Sequence, residues 1–116
     1  NMEESILTTI LSMLGYKEQQ LPDSYSKDII IHINSVFMIL NQLGVGPADT
    51  FSISGFDEKW SDFLADGKDL QSVKSYIYLK VKMIFDPPTS SVTLDSMKSL
   101  ITEFECRLNY RVDPAE

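Results

Sequence analysis

The residues most often used for catalysis in a small protein, histidine and cysteine, occur once each in this chain, as His32 and Cys106. His32 follows Asp28 by one helical turn, and an imidazole beside a carboxylate suits a general base or a metal ligand. However, no other residue stands at a spacing that would complete a catalytic triad or a metal site around it. We therefore interpret His32 as a structural residue.

Cys106 lies between Glu105 and Arg107. A nucleophilic cysteine needs a lowered pKa, whereas a free cysteine is most often a small buried side chain. We expect Cys106 to be packed in this ordinary way. A single cysteine also excludes a disulfide within the chain, which fits a reducing compartment without requiring one.

Two short motifs resemble ligand-binding loops only in part. The "DGKD" at 66–69 lacks the further ligands and the closing glutamate of a calcium loop. The "GVGP" at 44–47 lacks the lysine and the helix start of a phosphate-binding loop. The sequence therefore predicts no metal, no cofactor and no enzymatic activity.

A lysine-bearing segment offers three interpretations. Lys74, Lys80 and Lys82 alternate with Tyr76 and Tyr78, as in some nucleic-acid patches, but also as on a solvated helix face or a partner surface. Ten basic and seventeen acidic residues give a net charge of −7, which disfavours binding to nucleic acid or to an anionic membrane. A small helical DNA-binding regulator that uses this segment is the alternative to the function inferred below.

Trp60 lies among acidic residues in "GFDEKWSDF" at 55–63. Tryptophan is enriched as an anchor of protein interfaces, but a large aromatic ring equally often fills a core. Both roles remain open at this point.

These residues must be positioned by helices, because apolar residues recur every three or four positions along most of the chain. A chain of 116 residues favours a single domain. The predicted long helices cover residues 3–14, 23–43, 70–85 and 93–109. The second is apolar around most of its circumference, which is typical of a helix at the centre of a core or covered by another subunit.

Between the second and third helices, residues 44–67 form a predicted insertion. Its "FSIS" at 51–54 alternates apolar and polar residues like a short strand, and residues 60–64 have the spacing of one or two helical turns. Residues 16–22 are polar and are predicted to form a loop. Pro87 and Pro88 must end the third helix, because proline restricts the residue before it and lacks an N–H.

The predicted fold is mostly all-α: a four-helix bundle-like domain with a small irregular or short-strand insertion between helices 2 and 3. Residues 1–109 form the helical body and residues 110–116 an extended C-terminal tail. No run of residues is long and apolar enough to span a membrane, and the first residues are acidic rather than basic, unlike a signal peptide.

Four stretches carry a resemblance to a known family: "DIIIHINSVFMILNQLGVGP" (28–47), "WSDFLAD" (60–66), "SYIYLKVKMIFDPPTSS" (75–91) and "LNYRVDP" (108–114). Together they are similar to the phage head–tail connector (adaptor) family of tailed phages and of prophages in Gram-positive bacteria. The most specific is "YLKVKMIFDPP", which ends at the double proline. The resemblance extends over nearly the whole chain.

This resemblance implies a structural virion protein that forms a ring of about twelve copies beneath the portal vertex. Its partners would be copies of itself, the portal protein, and a head-closure or tail protein. The ring would extend the channel for genomic DNA without binding DNA specifically. The protein would reside in the virion, and in the host cytoplasm during assembly.

If the chain belongs to such a ring, we expect its C-terminal residues to dock on a neighbouring protein. Arg107 and Arg111 would make charged contacts, and Tyr110 and Val112 would make apolar ones. A solvated, frayed terminus is the alternative. The predicted interface residues are Trp60, Lys74, Lys82, Arg107, Tyr110, Arg111 and Val112.

Overall fold

A computed structural model describes residues 1–17 and 22–112 of the chain, the last three by their backbone only. Within these ranges, five helices form in the order α1 (Ile6–Met13), α2 (Asp23–Gln42), α3 (Trp60–Phe63), α4 (Leu70–Phe85) and α5 (Ser91–Val112). No strand occurs among these residues, so the predicted all-α, bundle-like class is confirmed. Part of the predicted 16–22 loop, residues 18–21, and the end of the predicted tail, residues 113–116, lie outside the description.

Helix α1 begins at Ile6, later than predicted, because Ser5 is its N-cap. The Ser5 hydroxyl accepts a hydrogen bond from the Thr8 amide at 3.2 Å, which satisfies one of the free amides of the first turn. Gly15 follows the helix with a φ of +92°, a conformation that glycine adopts without strain. The predicted end of this helix is therefore correct to within a residue.

The central helix of the fold is α4, which packs against α1, α2 and α5. The apolar pattern of α2 predicts one of two positions for this helix: the centre of the core, or a place where another subunit covers it. The structure excludes the first, because α2 buries one face and leaves Ile31 and Met38 exposed on the other. The molecule measures 48 × 36 × 22 Å, and its thinnest dimension is about two helix diameters.

Helix α2 runs antiparallel to α4. The ring of Tyr25, in the first turn of α2, lies 6.1 Å from that of Phe85, the last residue of α4. Towards the other end of α2, the ring centre of Phe37 lies 4.7 Å from that of Phe63 in α3, and α3 comes shortly before the start of α4 in the chain.

Helix α5 also runs antiparallel to α4, because the turn at 86–90 is short and Tyr76 contacts Glu105 beyond it. The double proline ends α4 where the sequence predicts, at Phe85. The apolar spacing of Ile77, Val81 and Ile84 predicts that Ile84 belongs to the buried stripe of this helix, but Ile84 is 55% exposed.

The C-terminal boundary of α5 corrects the predicted tail. The helix continues through Val112, so the first three residues of the predicted extended segment have a helical backbone. The nearest helix-breaking residue is Pro114, and proline disfavours helix mainly at the residue before it. The sequence therefore contains no signal that would end the helix at Asn109.

The predicted strand at 51–54 does not form. The side-chain amide of Asn34 instead pairs with the backbone of Ile53 in both directions, donating to its carbonyl at 2.9 Å and accepting from its amide at 2.7 Å. Ile53 is buried against the core, so the alternating pattern reports burial of an extended segment rather than a sheet. The insertion is thus irregular, one of the two predicted forms.

In the described part of the chain, no helix has both the length and the apolar composition needed to cross a membrane.

Candidate docking surfaces

The structure places Trp60 in the core, which decides between its two predicted roles in the isolated chain. Its side chain is 0% exposed, and the indole Nε1 donates a hydrogen bond to Thr9 Oγ1 at 3.0 Å. Thr9 Oγ1 in turn lies 2.9 Å from the Ser5 carbonyl oxygen and in contact with the Glu4 carboxylate. Trp60 thereby ties α3 to α1 and presents no free surface for a partner.

Lys74 lies next to Trp60, so the structure brings two of the predicted interface residues together. The Lys74 ammonium is 5.9 Å from the centre of the indole ring, a cation–π distance, and its stem is half-buried. Lys74 therefore covers the Trp60 ring at the edge of the core.

Lys82 lies towards the other end of α4. Its ammonium is 3.3 Å from the Asp86 carboxylate, one turn later, where the helix dipole also favours a positive charge. Lys80, between them, is half-buried. Because Lys74 and Lys82 each have a partner within the chain, this face is not a free cationic stripe.

Arg107 lies on the exposed side of α5 and pairs with Glu103 one turn earlier. The contact between Tyr76 and Glu105 places this part of α5 beside the first half of α4. Lys74 and Arg107 are therefore at one end of the molecule and Lys82 at the other. The remaining predicted interface residues, Tyr110, Arg111 and Val112, are helical in backbone, and their side chains are outside the described part of the structure.

Tyr76 provides a polar link between α4 and α5. The side chain is 0% exposed, and its hydroxyl donates a hydrogen bond to Glu105 Oε2 at 2.7 Å. Burial and the adjacent Glu105 carboxylate raise the pKa of Tyr76 far above its usual value. The tyrosine therefore remains a neutral hydrogen-bond donor.

Glu58 anchors the insertion. Its Oε2 accepts hydrogen bonds from the Ser54 amide and hydroxyl, both at 3.0 Å, and its carbonyl accepts one from the Ile6 amide at 3.0 Å. Burial alone would raise the pKa of Glu58, but these Ser54 donors and the backbone amides of Glu58 and Gly55 lower it overall. The carboxylate thus holds the loop closed as an anion.

A shallow depression of about 380 Å³ lies within the insertion, between its first residues and α3, and is lined by Gly46, Pro47 and residues 61–65. The acidic group at its edge, Asp62, accepts a hydrogen bond from the Lys59 amide at 2.9 Å and caps α3. The depression thus contains an occupied capping carboxylate rather than a catalytic group.

The residues first examined for chemistry have separate positions. His32 is half-buried on α2, and Cys106 is exposed on α5, so the expectation that Cys106 is packed was wrong. The buried stripe of α5 contains Met97 and Leu108, and Cys106 falls on a different face. Within residues 1–17 and 22–112, no group of three potential ligands could hold a metal ion.

Exposed apolar residues on two helices are the surface that sequence reasoning partly missed. On α2 these include Ile31 and Met38, in agreement with a helix that is apolar around most of its circumference. On α5 they are Val92, 75% exposed, and Leu100, 44% exposed. The apolar spacing of Met97, Leu100 and Ile101 predicts that all three are buried, but spacing alone does not show which edge of an apolar stripe faces the core.

The family described as "Phage connector protein" matches residues 6–115, nearly the whole chain. No curated protein matched significantly, and neither did any solved structure. Since the family match extends far beyond half of the sequence, the chain belongs to the phage connector protein family, a family of virion structural proteins.

Proposed function

We propose that this chain is a ring-forming adaptor that joins the portal vertex of a phage head to the tail and extends the DNA channel. Copies of the chain would contact one another around the ring, the portal protein on one side and a head-closure or tail protein on the other. Membership of the connector family supports this role, as does a rigid helical body with exposed apolar helix faces.

The observation that carries the proposal is the outer face of α2. Ile31 and Met38 are 60% and 57% exposed although the same helix buries a full apolar face on its other side. Exposed apolar residues that share one face of a helix mark interaction sites, whereas single exposed apolar residues are common on any protein surface. In a connector protein, such a face is suited to contact with another virion subunit.

The charge of the chain suits a DNA channel. Each copy carries a net charge of −7, and a ring of copies would repel the phosphates of a duplex passing through it. The DNA could then slide without being held. A mobility-shift titration with the purified chain should show no salt-dependent DNA binding; a steep salt dependence would favour the helical regulator instead.

The C-terminal end of α5 is the proposed docking element for the portal. It comprises Arg107, which is exposed, together with Tyr110, Arg111 and Val112. Deletion of residues 110–116 should leave the helical content and unfolding transition nearly unchanged but abolish docking on the portal. Infectious particles assembled with the truncated chain would contradict this assignment.

The function itself is tested by removing the gene from the phage or inducible prophage that encodes it. We expect DNA-filled heads and free tails to accumulate unjoined, and expression of the chain from a plasmid to restore joined particles. Electron microscopy of the lysates and plaque counts measure both results. Infectious tailed particles formed without the chain would overturn the proposal.

A further inference from the structure

The exposed side of α2 has a regular shape. Ile31, Ser35 and Met38 follow one another at spacings of four and three residues, so they form a single row along the helix. All three are exposed, and the Ser35 hydroxyl bonds back to the Ile31 carbonyl at 3.0 Å. The row therefore consists of two large apolar side chains with a gap between them, and we call it the α2 row.

The exposed side of α5 repeats this shape. Val92, Ser96 and Leu100 follow one another at spacings of four, and all three are exposed. They too form two large apolar side chains around a serine. We call this set the α5 row.

The two rows lie on opposite edges of the molecule. Helix α4 lies between α2 and α5, and each packs on α4 rather than on the other. The rows are on the sides of α2 and α5 that their buried residues leave outward. A ring needs such an arrangement, because each subunit must present two different faces that fit each other.

We infer that the α2 row of one copy packs against the α5 row of the next copy. A large side chain of each row enters the gap at the serine of the other, so Ile31 fills the space at Ser96 and Leu100 fills the space at Ser35. This is the way in which ridges of one helix pack into the grooves of another. The inference rests on the proposed ring, and it names the surfaces that form it.

The two helices must meet in parallel. Within one chain α2 and α5 are both antiparallel to α4, so they point in the same direction. Neighbours in a ring of many copies differ by a small rotation, about 30° for about twelve copies, which nearly preserves helix direction. The direction of the helices within the chain is therefore the one that lets the rows meet and the ring close.

Cysteine cross-linking tests the pairing directly. The exposed native cysteine is first removed by Cys106→Ser; one chain then carries Ser35→Cys and a second, differently tagged chain carries Ser96→Cys. Ser35 and Ser96 are offset along the packed helices by about one turn, or about 6 Å, so a short bismaleimide joins the two cysteines where a direct disulfide would not reach. At about 1 mM protein, we expect linked pairs between the two kinds of chain to exceed those within either kind by about tenfold. Equal yields, or pairs of Ser35→Cys chains alone, would overturn the inference, because they indicate a face that meets itself.

The direction of the helices is tested with the native cysteine as the second partner. In a parallel pair Cys106 lies near position 42 of the neighbour, and in an antiparallel pair near position 24, about 27 Å away along α2. The chain with Gln42→Cys and Cys106→Ser should therefore cross-link to the wild-type chain. The matched chain with Ser24→Cys should not; if it alone reacts, the parallel arrangement is wrong.

Charged substitutions separate this inference from the proposed function. Ile31→Glu and Leu100→Glu should each reduce the Ser35–Ser96 cross-link by about tenfold or more, since a carboxylate would be buried against apolar side chains. Phe56→Glu, at an exposed apolar residue outside both rows, is the matched control. Tailless heads in the gene deletion combined with no cross-link would refute the pairing but leave the adaptor function standing. Infectious tailed particles in the gene deletion combined with the expected cross-link would refute the adaptor function but leave the pairing standing.

Discussion

The environment of Trp60 and the long helix α5 are built in opposite ways. Around Trp60, residues of α1, α3 and α4 meet at one 0% exposed indole, which is hydrogen-bonded at 3.0 Å to Thr9 and covered by Lys74. Helix α5 has 22 residues, yet among its described side chains only Met97 and Leu108 are buried. Among the helices, its main packing partner is α4.

This difference separates the residues that stabilise the fold from the residues that remain exposed for binding. Burial of large side chains holds the Trp60 region in one arrangement, whereas α5 contributes few buried contacts and leaves a long face to solvent. In a connector protein, the first region is suited to a rigid body and the second to contact with other virion components. Substitutions in the two regions should therefore have different consequences.

The largest effect is expected at Trp60. Trp60→Ala would remove a fully buried aromatic side chain and its hydrogen bond, which should lower the free energy of unfolding by about 3–5 kcal/mol. Chemical denaturation followed by circular dichroism measures the change. Phe56→Ala, at a residue 41% exposed, is the control and should change it by less than about 0.5 kcal/mol. Equal effects of the two substitutions would contradict the core position of Trp60.

Gly46 tests the same region through its backbone. Its φ is +89°, and a Cβ at this position would lie 2.2 Å from Phe63 Cε1. Gly46→Ala should therefore lower the free energy of unfolding by about 2–4 kcal/mol, through backbone strain and displacement of the ring. Gly55→Ala is the matched control, because a Cβ there meets nothing within 4 Å. A harmless Gly46→Ala would mean that the loop rearranges easily and that the core is less rigid than its packing indicates.

Tyr76 tests how firmly α5 is attached. Tyr76→Phe removes the hydrogen bond to Glu105 and should lower the free energy of unfolding by about 1–2 kcal/mol. Amide hydrogen exchange should accelerate in α5 more than in α1. Uniform acceleration in both helices would show that α5 opens only with the whole molecule.

The same residue gives the sign of a pH dependence. The pKa of Tyr76 is raised in the folded chain, so folding favours its protonated form. The corresponding stabilisation is complete below about pH 10, where the unfolded tyrosine is also protonated, and declines as the pH rises further. Denaturation at pH 8 and at pH 11 should show a larger loss for the wild-type chain than for Tyr76→Phe. An equal loss would mean that other groups cause the alkaline destabilisation.

Strong local signals predicted most of the fold. The apolar period and the double proline gave the bounds of α4 without error, from Leu70 to Phe85. Periodicity was less informative for α5, because its outer face also contains Val92 and Leu100, and spacing alone does not show which apolar edge is buried. The end of this helix was missed for a related reason: nothing before Pro114 interrupts it.

The candidate surfaces were predicted less well, because charge is visible in a sequence while pairing is not. Lys74 and Lys82 were recognised as cations, but their contacts with Trp60 and Asp86 depend on tertiary structure or rotamer choice. Trp60 illustrates the converse, since its hydrogen-bond partner Thr9 is 51 residues away in the chain. The exposure of Ile31 and Met38 was foreseeable only as an excess of apolar residues on α2.

The smallest effect on folding is expected at Arg107, which lies on the exposed helix α5 and is proposed to contact a partner. Its ion pair with Glu103 is exposed on both sides and lies within one helix, so Arg107→Gln should lower the free energy of unfolding by only about 0.3–0.5 kcal/mol. If Arg107 docks on a partner, the same substitution should nonetheless reduce the joining of heads to tails, which is measured by plaque counts. Lys98→Gln, at another exposed cation of α5, is the matched control and should reduce neither. A loss of stability comparable to that of Tyr76→Phe would instead show that Arg107 helps to attach α5 to the rest of the molecule. The contrast between a buried region that stabilises the fold and an exposed helix that contacts partners would then no longer hold.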